Sequence, residues 1–597
     1  MVDFPRDESL MPAGLDAWPF AKQECPAQAG WLVREERLEA RLGVTHFRLP
    51  PDYRDDGGVQ HQAVPFVRFP RWHYCHHCGG MELLSLYEAT RAKCSGRQYP
   101  QQSCHTRASF RRPYLIPVRF IAVCEQGHVQ DFPFMQWLHR DKPWDLATHK
   151  LRLRAGRSSA GLSGITIECS CGEKRNLGDV FRFDEKVGGP LAKINCDCAG
   201  QQPWLGEAAQ PCGSHLRVLQ RGASNVYFPQ VMSSIYLPLW AENVSGEVVA
   251  AIEDPKVWAV LTQGLDNGKV STDRCAIVGQ MSGVDPAALR EVAQRKLDGQ
   301  PLQGVEAVIT DEESFRRSEY QAICAGKVGP NSDLYVESAQ MSNYDLNIRR
   351  FFSRIQLVHK LRETRALVGF TRILPPDGDP KSLRLQPLKL DKVIDWLPAI
   401  RVFGEGIFLE ISAVELDTWL KKPDVGERVG ALIANYNAVR ASRQQPFRNI
   451  GPKFMLLHTL AHVLINQLAF DCGYGSASLR ERLYCDLNQP DKPMQGILIY
   501  TASGDSEGTM GGLVRQGRSG RLESTLRRAL DHAAWCSSDP VCIETAAQGS
   551  DSSNRAACHG CCLLPETSCE EGNRLLDRGL LVGNPKDKSL GFFAVLI

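Results

Sequence analysis

The chain has 597 residues, of which 43% are hydrophobic and 23% are charged, and its formal net charge is +2. These fractions are ordinary for globular proteins and exclude a fibrous repeat or a largely disordered chain. The length exceeds what one compact core normally holds, so we expect two to four domains of roughly 100–200 residues. The near-neutral charge means that any contact with nucleic acid has to come from local basic surface.

The N-terminal segment MVDFPRDESL lacks a basic start followed by an apolar run, so we expect no signal peptide. The longest apolar stretch, from Phe454 to Phe470, contains polar residues and is short for a bilayer span, so we expect no membrane segment. We therefore predict a cytoplasmic protein. In a reducing compartment, clusters among the 21 cysteines are more often metal sites than disulfides.

The predicted fold class is mixed α/β and multidomain, with four consecutive parts. Residues 1–240 hold 11 cysteines and short β-like runs, which predicts a zinc-rich strand-and-loop region with two zinc clusters. Residues 241–345 are predicted to form a helical middle segment and residues 346–450 a connecting region of helices and strands. Residues 451–597 are predicted to form an α/β domain with a four-cysteine zinc site.

Local signals place the helices of the central parts. Asp285 and Pro286 suit the N-cap and the first position of a helix. The segment RIQLVHKLRETRALVGF, from Arg354 to Phe370, carries apolar residues at helical spacing, and the prolines that follow at 375 and 376 would end a helix there. We therefore predict a helix over this segment.

The last part begins with a long apolar helix. Pro452 suits its first position, and KFMLLHTLAHVLINQLAF is apolar nearly all round, which is typical of a buried core helix. The segment GILIYTA, Gly496–Ala502, is predicted to be a buried strand, and Glu523–Trp535 to be a second helix.

The spacing of cysteines predicts three zinc clusters, because zinc prefers four soft ligands and a CxxC turn supplies two of them. The predicted ligands are Cys75, Cys78, Cys94 and Cys104; Cys169, Cys171, Cys198 and Cys212; and Cys542, Cys558, Cys561 and Cys569. Several neighbours compete for these positions, namely His76, His77, His105, Cys196, Cys536 and Cys562, while Cys124 and His128 are either ligands or ordinary residues at a strand end. Each cluster has four protein ligands, so we expect about three structural zinc ions per chain.

Two histidines on the predicted core helix form a separate candidate. His458 and His462 lie four residues apart and share one helix face, a spacing that suits metal chelation. The metalloprotease pattern requires a glutamate directly after the first histidine, and Thr459 stands there. We therefore expect hydrogen-bonded core histidines, with Glu481 and Arg482 as candidate partners.

No motif of a molecular motor is present. The nearest approach to a GxxxxGK[ST] loop is Gly264–Val270, which is one residue short and lacks the hydroxyl that holds magnesium. The glycine-rich segment Thr501–Leu513 is either a phosphate-binding loop or a plain turn. We expect no ATP hydrolysis and assign no catalytic residue.

Basic runs supply candidate contacts with nucleic acid, because guanidinium groups suit phosphate. The candidates are Arg221, Asn225, Arg362, Arg365, Arg372, Arg515 and Arg518. Basic runs are more often solvated faces than binding sites, and local sequence does not choose between the two.

Several segments resemble known families. GPKFMLLHTLAHVLINQL, GYGSASLRERLY, GILIYTASGDSEGTMGGL and ACHGCCLLPETSCEEGNRLLDRG resemble the zinc-binding C-terminal domain that accompanies MrfA-type DNA helicases. Its four zinc cysteines correspond to Cys542, Cys558, Cys561 and Cys569. WHYCHHCG, VRFIAVCEQGHVQDFPF, LQRGASNVYFPQVMSSIYLP and KLRETRALVGFTRI resemble the DrmB family, the helicase-lacking subunits of DISARM phage-defence systems.

The resemblance implies a bacterial accessory subunit. Its partner would be the helicase DrmA, their complex would engage DNA ends or single-stranded overhangs, and a DNA methyltransferase would act in the same system. Two alternatives remain open: a metal- or histidine-dependent hydrolase or nuclease using His458, His462, Asp505 and Glu507, and a stand-alone zinc protein that binds nucleic acid.

Overall fold

The computed structural model describes residues 1–4, 8–22, 30–51, 63–88, 90–96, 104, 106–155, 164–184, 187–207, 209–237, 248, 251–252, 254–266, 268–297, 311–326, 332–382, 384–486, 493–501 and 512–597. The chain divides into two compact units that alternate along the sequence. The first unit comprises Met1–Arg34, Val44–Met232 and Ala366–Ile400, and the second comprises Glu35–Gly43, Ser233–Arg365 and Arg401–Ile597. The four consecutive parts expected from the sequence stay a prediction.

The described helices and strands are numbered in chain order. The helices are α1 (Glu36–Leu42), α2 (Phe134–His139), α3 (Pro255–Thr262), α4 (Thr272–Ser282), α5 (Pro286–Leu297), α6 (Glu312–Ala325), α7 (Leu346–Phe351), α8 (Ala413–Leu420), α9 (Pro423–Ser442), α10 (Pro452–Cys472), α11 (Gly512–Gln516), α12 (Leu522–Ala534), α13 (Val541–Glu544) and α14 (Gly579–Val582). The strands are β1 (Val2–Phe4), β2 (Glu8–Pro12), β3 (Leu32–Val33), β4 (His46–Arg48), β5 (Phe66–Arg68), β6 (Trp72–Tyr74), β7 (Met81–Leu83), β8 (Ile116–Pro117), β9 (Phe120–Val123), β10 (Val129–Asp131), β11 (Leu151–Ala155), β12 (Ile165–Cys169), β13 (Lys174–Asn176), β14 (Arg217–Gln220), β15 (Phe228–Ile235), β16 (Leu334–Ser338), β17 (Phe352–Thr371), β18 (Trp396–Ile411), β19 (Leu479–Cys485) and β20 (Gln495–Thr501). This mixture of helices and sheets is the predicted α/β class. Across the described residues, no helix combines the length and the apolar character that crossing a membrane requires.

Small antiparallel sheets build most of the first unit. Four sheets have three strands each, in the orders β1–β2–β5, β7–β6–β8, β10–β9–β14 and β11–β12–β13. Their strands are two to five residues long, so each sheet buries little apolar surface by itself. The largest apolar cluster of this unit gathers around Phe132, Phe134, Trp137 and Leu151.

A longer sheet and one helix form the core of the second unit. The sheet has the order β15–β17–β18–β20–β19, and β16 also pairs with β17. Helix α10 packs against β19, β20, α12 and α14, and most of its side chains are buried. It begins with Pro452 at its first position and ends at Cys472, and the next residue, Gly473, caps it with a φ of +72°, the left-handed conformation that favours glycine. The predicted core helix is therefore present.

The predicted helix over Arg354–Phe370 is wrong, because this segment forms the long strand β17. Val358 lies opposite Val336, and Leu361 lies opposite Leu334, in the antiparallel pair with β16. A strand with neighbours on both edges and helices on its faces is apolar at many positions. Its apolar residues therefore also fit a helical period, and periodicity alone does not separate the two structures.

Burial of α10 gives a first test. Leu460 lies within the apolar cluster of the second unit and is fully buried, so Leu460→Ala should lower the free energy of unfolding by about 2–5 kcal/mol. Urea unfolding followed by circular dichroism measures the change. Phe470→Ala on the same helix is the control, since Phe470 is 80% exposed and its loss should cost about 0.5 kcal/mol or less. Equal losses for the two variants would contradict the buried face.

Candidate metal centres

Four cysteines of the first unit converge beside a β-hairpin. Cys75 follows β6 and Cys78 lies shortly before β7, so the CxxC segment is the turn between two antiparallel strands. The Sγ atoms of Cys75 and Cys104 are 3.8 Å apart, and those of Cys78 and Cys94 are 3.7 Å apart. Zn–S bonds of ~2.3 Å in a tetrahedron place sulfurs about 3.8 Å apart. This group, which contains the four predicted ligands, fits a zinc ion.

The histidines of this segment do not join the group. His76 and His77 are exposed, and His77 Nε2 lies 2.7 Å from the guanidinium of Arg107. His105 lies outside the described residues. The four cysteine sulfurs therefore account for the group without an imidazole.

The second predicted cluster is divided between two places. Cys198 and Cys212 lie with Cys124 and His128, and their ligand atoms are all within 4.8 Å of one another. Cys124 Sγ is 3.5 Å from His128 Nδ1 and 3.9 Å from Cys212 Sγ. Cys124 follows β9 and His128 precedes β10, so a second hairpin turn contributes two candidate ligands.

Hydrogen bonds decide between Cys196 and Cys198. The Sγ atom of Cys198 lies within 4.8 Å of the ligand atoms of Cys124, His128 and Cys212. The backbone N–H of Gly200 donates to Cys198 Sγ at 3.3 Å. Cys196 instead donates its thiol to Gln136 Oε1 at 3.4 Å, and burial raises its pKa to about 11. Cys198 therefore faces the group, whereas the thiol of Cys196 faces Gln136.

Cys169 and Cys171 form a third hairpin group with His139. Cys169 ends β12, and Cys171 lies in the turn before β13. His139 Nε2 is 3.4 Å from Cys171 Sγ, while its Nδ1 donates to the carbonyl of Met135 at 2.9 Å. That bond orients the ring so that the Nε2 lone pair faces the thiols. With three donors and an exposed Cys171, the group is one ligand short of a closed tetrahedron within the described part of the chain.

The C-terminal four-cysteine group differs from the prediction in one ligand. Cys542, Cys558 and Cys561 lie together, but Cys536 takes the position predicted for Cys569. The Sγ–Sγ distances are 3.5 Å for Cys536 and Cys558, and 3.8 Å both for Cys542 and Cys561 and for Cys558 and Cys561. These distances are close to the tetrahedral edge for zinc of about 3.8 Å.

Cys569 lies elsewhere because neighbouring residues bond to β19. The backbone N–H of Glu481 donates to the carbonyl of Ser568 at 3.1 Å, and the N–H of Glu570 donates to Glu481 Oε1 at 3.0 Å. Cys569 is thereby placed with His458, His462 and Glu481 in a separate buried group. Cys562, the other competitor, is fully buried in the apolar core, and its carbonyl accepts a hydrogen bond from His462 Nδ1 at 2.8 Å.

Glu481 and Arg482 have different partners. Glu481 Oε1 lies 3.2 Å from His458 Nε2, as expected for a partner of that histidine. Arg482 makes a two-pronged ion pair with Glu319 of α6, with both N···O distances 2.6 Å. Successive side chains of a strand point to opposite faces, so these two neighbours on β19 cannot both face α10.

Comparison with known proteins assigns the chain to a family. A domain of unknown function, DUF8724, matches residues 1–228, and the MrfA Zn-binding domain matches residues 460–562. The DISARM protein DrmB of Bacillus paralicheniformis is 30% identical over 582 residues, which cover 95% of this chain and 96% of that protein. The chain belongs to the DrmB family. The family resemblance seen in the sequence is thereby confirmed.

The match with the MrfA Zn-binding domain helps to sort the C-terminal cysteines of this DrmB-family chain. It includes Cys536, Cys542, Cys558 and Cys561, which are the four that converge in space. His458 and Cys569 lie outside the matched residues. All four cysteines of this group thus lie within the matched domain, and burial raises the pKa of Cys542 to about 12.

Three arginines predicted to contact nucleic acid lie in β17 or directly after it, and each bonds to another group of the protein. Arg362 forms an ion pair with Asp333 at 2.7 Å, and Arg365 forms one with Glu363 at 2.7 Å. Arg372 is buried and donates to two backbone carbonyls, at 3.0 and 2.6 Å. These guanidinium groups stabilise the fold as they stand.

The other candidates differ in exposure. Arg221 is half-buried and pairs with Asp3 at 2.5 Å, and Asn225 is also half-buried. Arg515 and Arg518 are exposed, although Arg518 also pairs with Glu337 at 3.1 Å. Exposed side chains remain accessible to phosphate, so these two are the best placed of the set.

Further exposed arginines lie close to Arg515 and Arg518 in the chain, just before α12 and on it. We define the arginine segment as Arg515, Arg518, Arg521 and Arg527, all of which are exposed. Trp535, at the end of α12 and directly before Cys536, has 70% of its surface exposed. A large exposed aromatic side chain suits base stacking on a single strand, and exposed guanidinium groups suit phosphate.

Sequence reasoning did not commit to Cys124, His128, Cys536, His139 or Trp535. The signal for the first pair was present, since CEQGH places a cysteine and a histidine across a glycine turn between two apolar runs. The position of His139 gave no signal, because a lone histidine at the end of a short helix is unremarkable in sequence.

The choice of Cys198 can be tested directly. Cys198→Ser should remove one zinc ion per chain, because it takes away one of four ligands, whereas Cys196→Ser should leave the zinc content unchanged. Mass spectrometry of the purified protein gives the metal content. The two cysteines are both buried and two residues apart, which makes the control closely matched. Zinc loss from the Cys196 variant alone would reverse the assignment.

Proposed function

We propose that this chain is a non-motor subunit of a bacterial phage-defence complex, which binds a helicase subunit and helps it engage DNA. The observation that carries the proposal is the similarity to the DISARM protein DrmB, which extends over 95% of this chain and 96% of that protein. Similarity over nearly the whole length makes it reasonable to transfer the role of a subunit rather than that of one domain. The complex would act in the cytoplasm.

Three of the metal groups would serve this role as structural zinc sites. The groups that contain Cys75, Cys124 and Cys536 each offer four protein ligands, and most of these side chains are buried. Four protein ligands leave no coordination position for water or substrate, so such a site stabilises the fold and does not catalyse. Binding of a structural zinc ion adds about 10–16 kcal/mol to the free energy of folding in small zinc domains. Short-stranded sheets gain most from this contribution.

The arginine segment is the proposed contact with DNA. Its guanidinium groups are exposed around α12, and the zinc group begins with Cys536, one residue after Trp535. A metal at that group would fix the end of α12 and the backbone that carries Trp535. The arginines would then contact phosphates, and Trp535 would stack on an unpaired base at an end or overhang.

ATP hydrolysis would belong to the partner, a DrmA-type helicase, and a DNA methyltransferase would act in the same system. The segment Gly264–Val270 lacks the hydroxyl residue of a phosphate-binding loop, as the sequence shows. This chain would then add DNA contacts and a scaffold to a motor that it does not itself contain.

The alternative of a hydrolase loses support from the position of its histidines. His458 and His462 are fully buried, and their ring nitrogens face Glu481 and Cys569 instead of a cleft. Asp505 and Glu507, the other residues of that hypothesis, lie outside the described residues. General acid–base chemistry requires access for a substrate, which buried imidazoles do not provide.

Association with the helicase is the first test. The chain purified alone should turn over no ATP, should bind the helicase encoded beside it at micromolar concentration, and should raise the DNA-dependent ATPase rate of that helicase. Analytical ultracentrifugation measures the association, and a coupled assay measures the ATPase rate. A failure to associate at micromolar concentration would refute the role of a helicase partner.

The DNA contact is tested by charge removal in the arginine segment. Each phosphate contact contributes about 0.7 for single strands, and about 0.9 for duplex DNA, to the steepness with which log affinity falls against log salt. The triple variant Arg515→Gln, Arg518→Gln and Arg527→Gln should therefore lower the slope of log affinity against log salt by about 2–3. Fluorescence anisotropy with an overhang substrate measures this for the complex and for the chain alone.

The control is a triple variant that removes the same number of positive charges at exposed arginines elsewhere, namely Arg182→Gln, Arg290→Gln and Arg349→Gln. Its slope should stay close to that of the native protein. Equal slopes for the two triples would show that the arginine segment does not contact DNA. Tight, salt-dependent binding by the chain alone, without any association with the helicase, would favour the stand-alone nucleic-acid binder.

A further inference from the structure

A second metal-binding geometry lies in the core of the second unit, apart from the four-cysteine groups. His458 and His462 of α10, Glu481 of β19 and Cys569 of the C-terminal segment place one ligand atom each within 4.8 Å of the others. His458 Nε2 is 3.2 Å from Glu481 Oε1 and 3.3 Å from Cys569 Sγ, and His462 Nε2 is 3.7 Å from the same Glu481 oxygen. Zinc bonds of ~2.0–2.3 Å to nitrogen, oxygen and sulfur give tetrahedral edges of about 3.3–3.8 Å.

The orientation of His462 points to a metal ion. Its Nδ1 donates to the carbonyl of Cys562 at 2.8 Å, because a carbonyl only accepts, and this bond fixes the tautomer. The Nε2 atom is then a lone-pair donor aimed into the group, yet it is fully buried and has no hydrogen-bond partner. A histidine that bonds a backbone carbonyl with one nitrogen and leaves the other free is the usual arrangement of a metal ligand.

The hydrogen bonds to the sulfur of Cys569 also suit a metal ligand. The sulfur accepts hydrogen bonds from the backbone N–H groups of Glu571 at 3.3 Å and Asn573 at 3.2 Å. Two amide donors stabilise a thiolate, which is the form that binds a metal. Glu481 contributes a second anionic ligand, and its Oε1 is held by the backbone N–H of Glu570 at 3.0 Å.

Charge balance favours occupation by a divalent cation. A thiolate, a carboxylate and two neutral imidazoles carry two negative charges, and a divalent ion makes the set neutral. Neutrality is important here because all four side chains are buried, three of them completely, and uncompensated charge in such a place is costly. The alternative, a protonated imidazole beside the carboxylate, leaves His462 Nε2 without a bond, since 3.7 Å from Glu481 is too long for one.

We propose that His458, His462, Glu481 and Cys569 bind a structural zinc ion, separate from the one at Cys536, Cys542, Cys558 and Cys561. The ion would join the core helix, an edge strand of the sheet and the C-terminal segment, which are distant in sequence. The MrfA Zn-binding domain match ends at residue 562 and begins at residue 460, so it covers this set only in part. The inference rests on this geometry and does not depend on the proposed function.

Metal counting on single and double variants separates the two sites. Zinc per chain is measured by mass spectrometry on the full-length protein. Cys569→Ser, His462→Gln and Cys536→Ser should each lose one zinc ion, and the double variant Cys536→Ser with Cys569→Ser should lose two. Cys485→Ser is the control, because Cys485 lies on the same strand as Glu481 and donates its thiol to the Asp486 carbonyl. It should lose none.

Two outcomes would overturn the proposal. Unchanged zinc in both the Cys569 and His462 variants would show that the group is a hydrogen-bond network. Loss of a single zinc ion by the double variant would show that Cys569 and Cys536 share one site. If the variants fail to fold, anomalous diffraction at the zinc edge from crystals of the unaltered chain tests the proposal. The proposal predicts an anomalous peak about 2.1 Å from His462 Nε2. A map without that peak also overturns the proposal.

Discussion

The geometric requirement of a tetrahedral metal site organises the cysteine-rich parts of this protein. Soft ligands around one zinc ion must approach within about 4 Å of one another, although thiolates repel when no cation is present. In the first unit, three hairpin turns, β6–β7, β9–β10 and β12–β13, each contribute two candidate ligand atoms, and the groups at the first two turns reach four ligands. The strands that flank the turns have only three to five residues and bury little surface. A metal bound at such a turn would supply part of the stability that longer strands supply through packing.

The second unit reaches its stability by a different route. Helix α10 is buried along most of its length, and β19 and β20 lie against it. The alternation of side chains along β19 then directs Glu481 to the histidines of α10 and Arg482 to Glu319 of α6. Glu481 and Arg482 each have a partner of opposite charge or a ligand set within reach, which is a condition for placing ionisable groups in such a core. One strand thus carries two buried polar centres, one on each face.

Sequence patterns predicted the parts of this arrangement that local chemistry determines. The apolar length of α10, its proline start, the strand Gln495–Thr501, the helix Leu522–Ala534 and the grouping of Cys75 with Cys78 all follow from residues close together in the chain. Strand β17 was missed because a strand buried on both faces has apolar residues at helical spacing too. The choice between Cys536 and Cys569 was missed because both lie one loop from the same CxxC turn, and only the pairing of the C-terminal segment with β19 separates them.

The separation of Cys536 from Cys569 changes how the C-terminal region is expected to fold. Cys536, Cys542, Cys558 and Cys561 lie within 26 residues, so their zinc site can form from local chain alone. His458, Glu481 and Cys569 instead span more than 100 residues and meet only when α10, β19 and the last segment have packed. Closing a longer loop costs more conformational entropy, and the core must therefore precede or accompany the second group. The four-cysteine group would fix the end of α12, the helix that carries part of the arginine segment and is followed by Trp535. The group that contains His458 would instead join the packed core to the C-terminal segment.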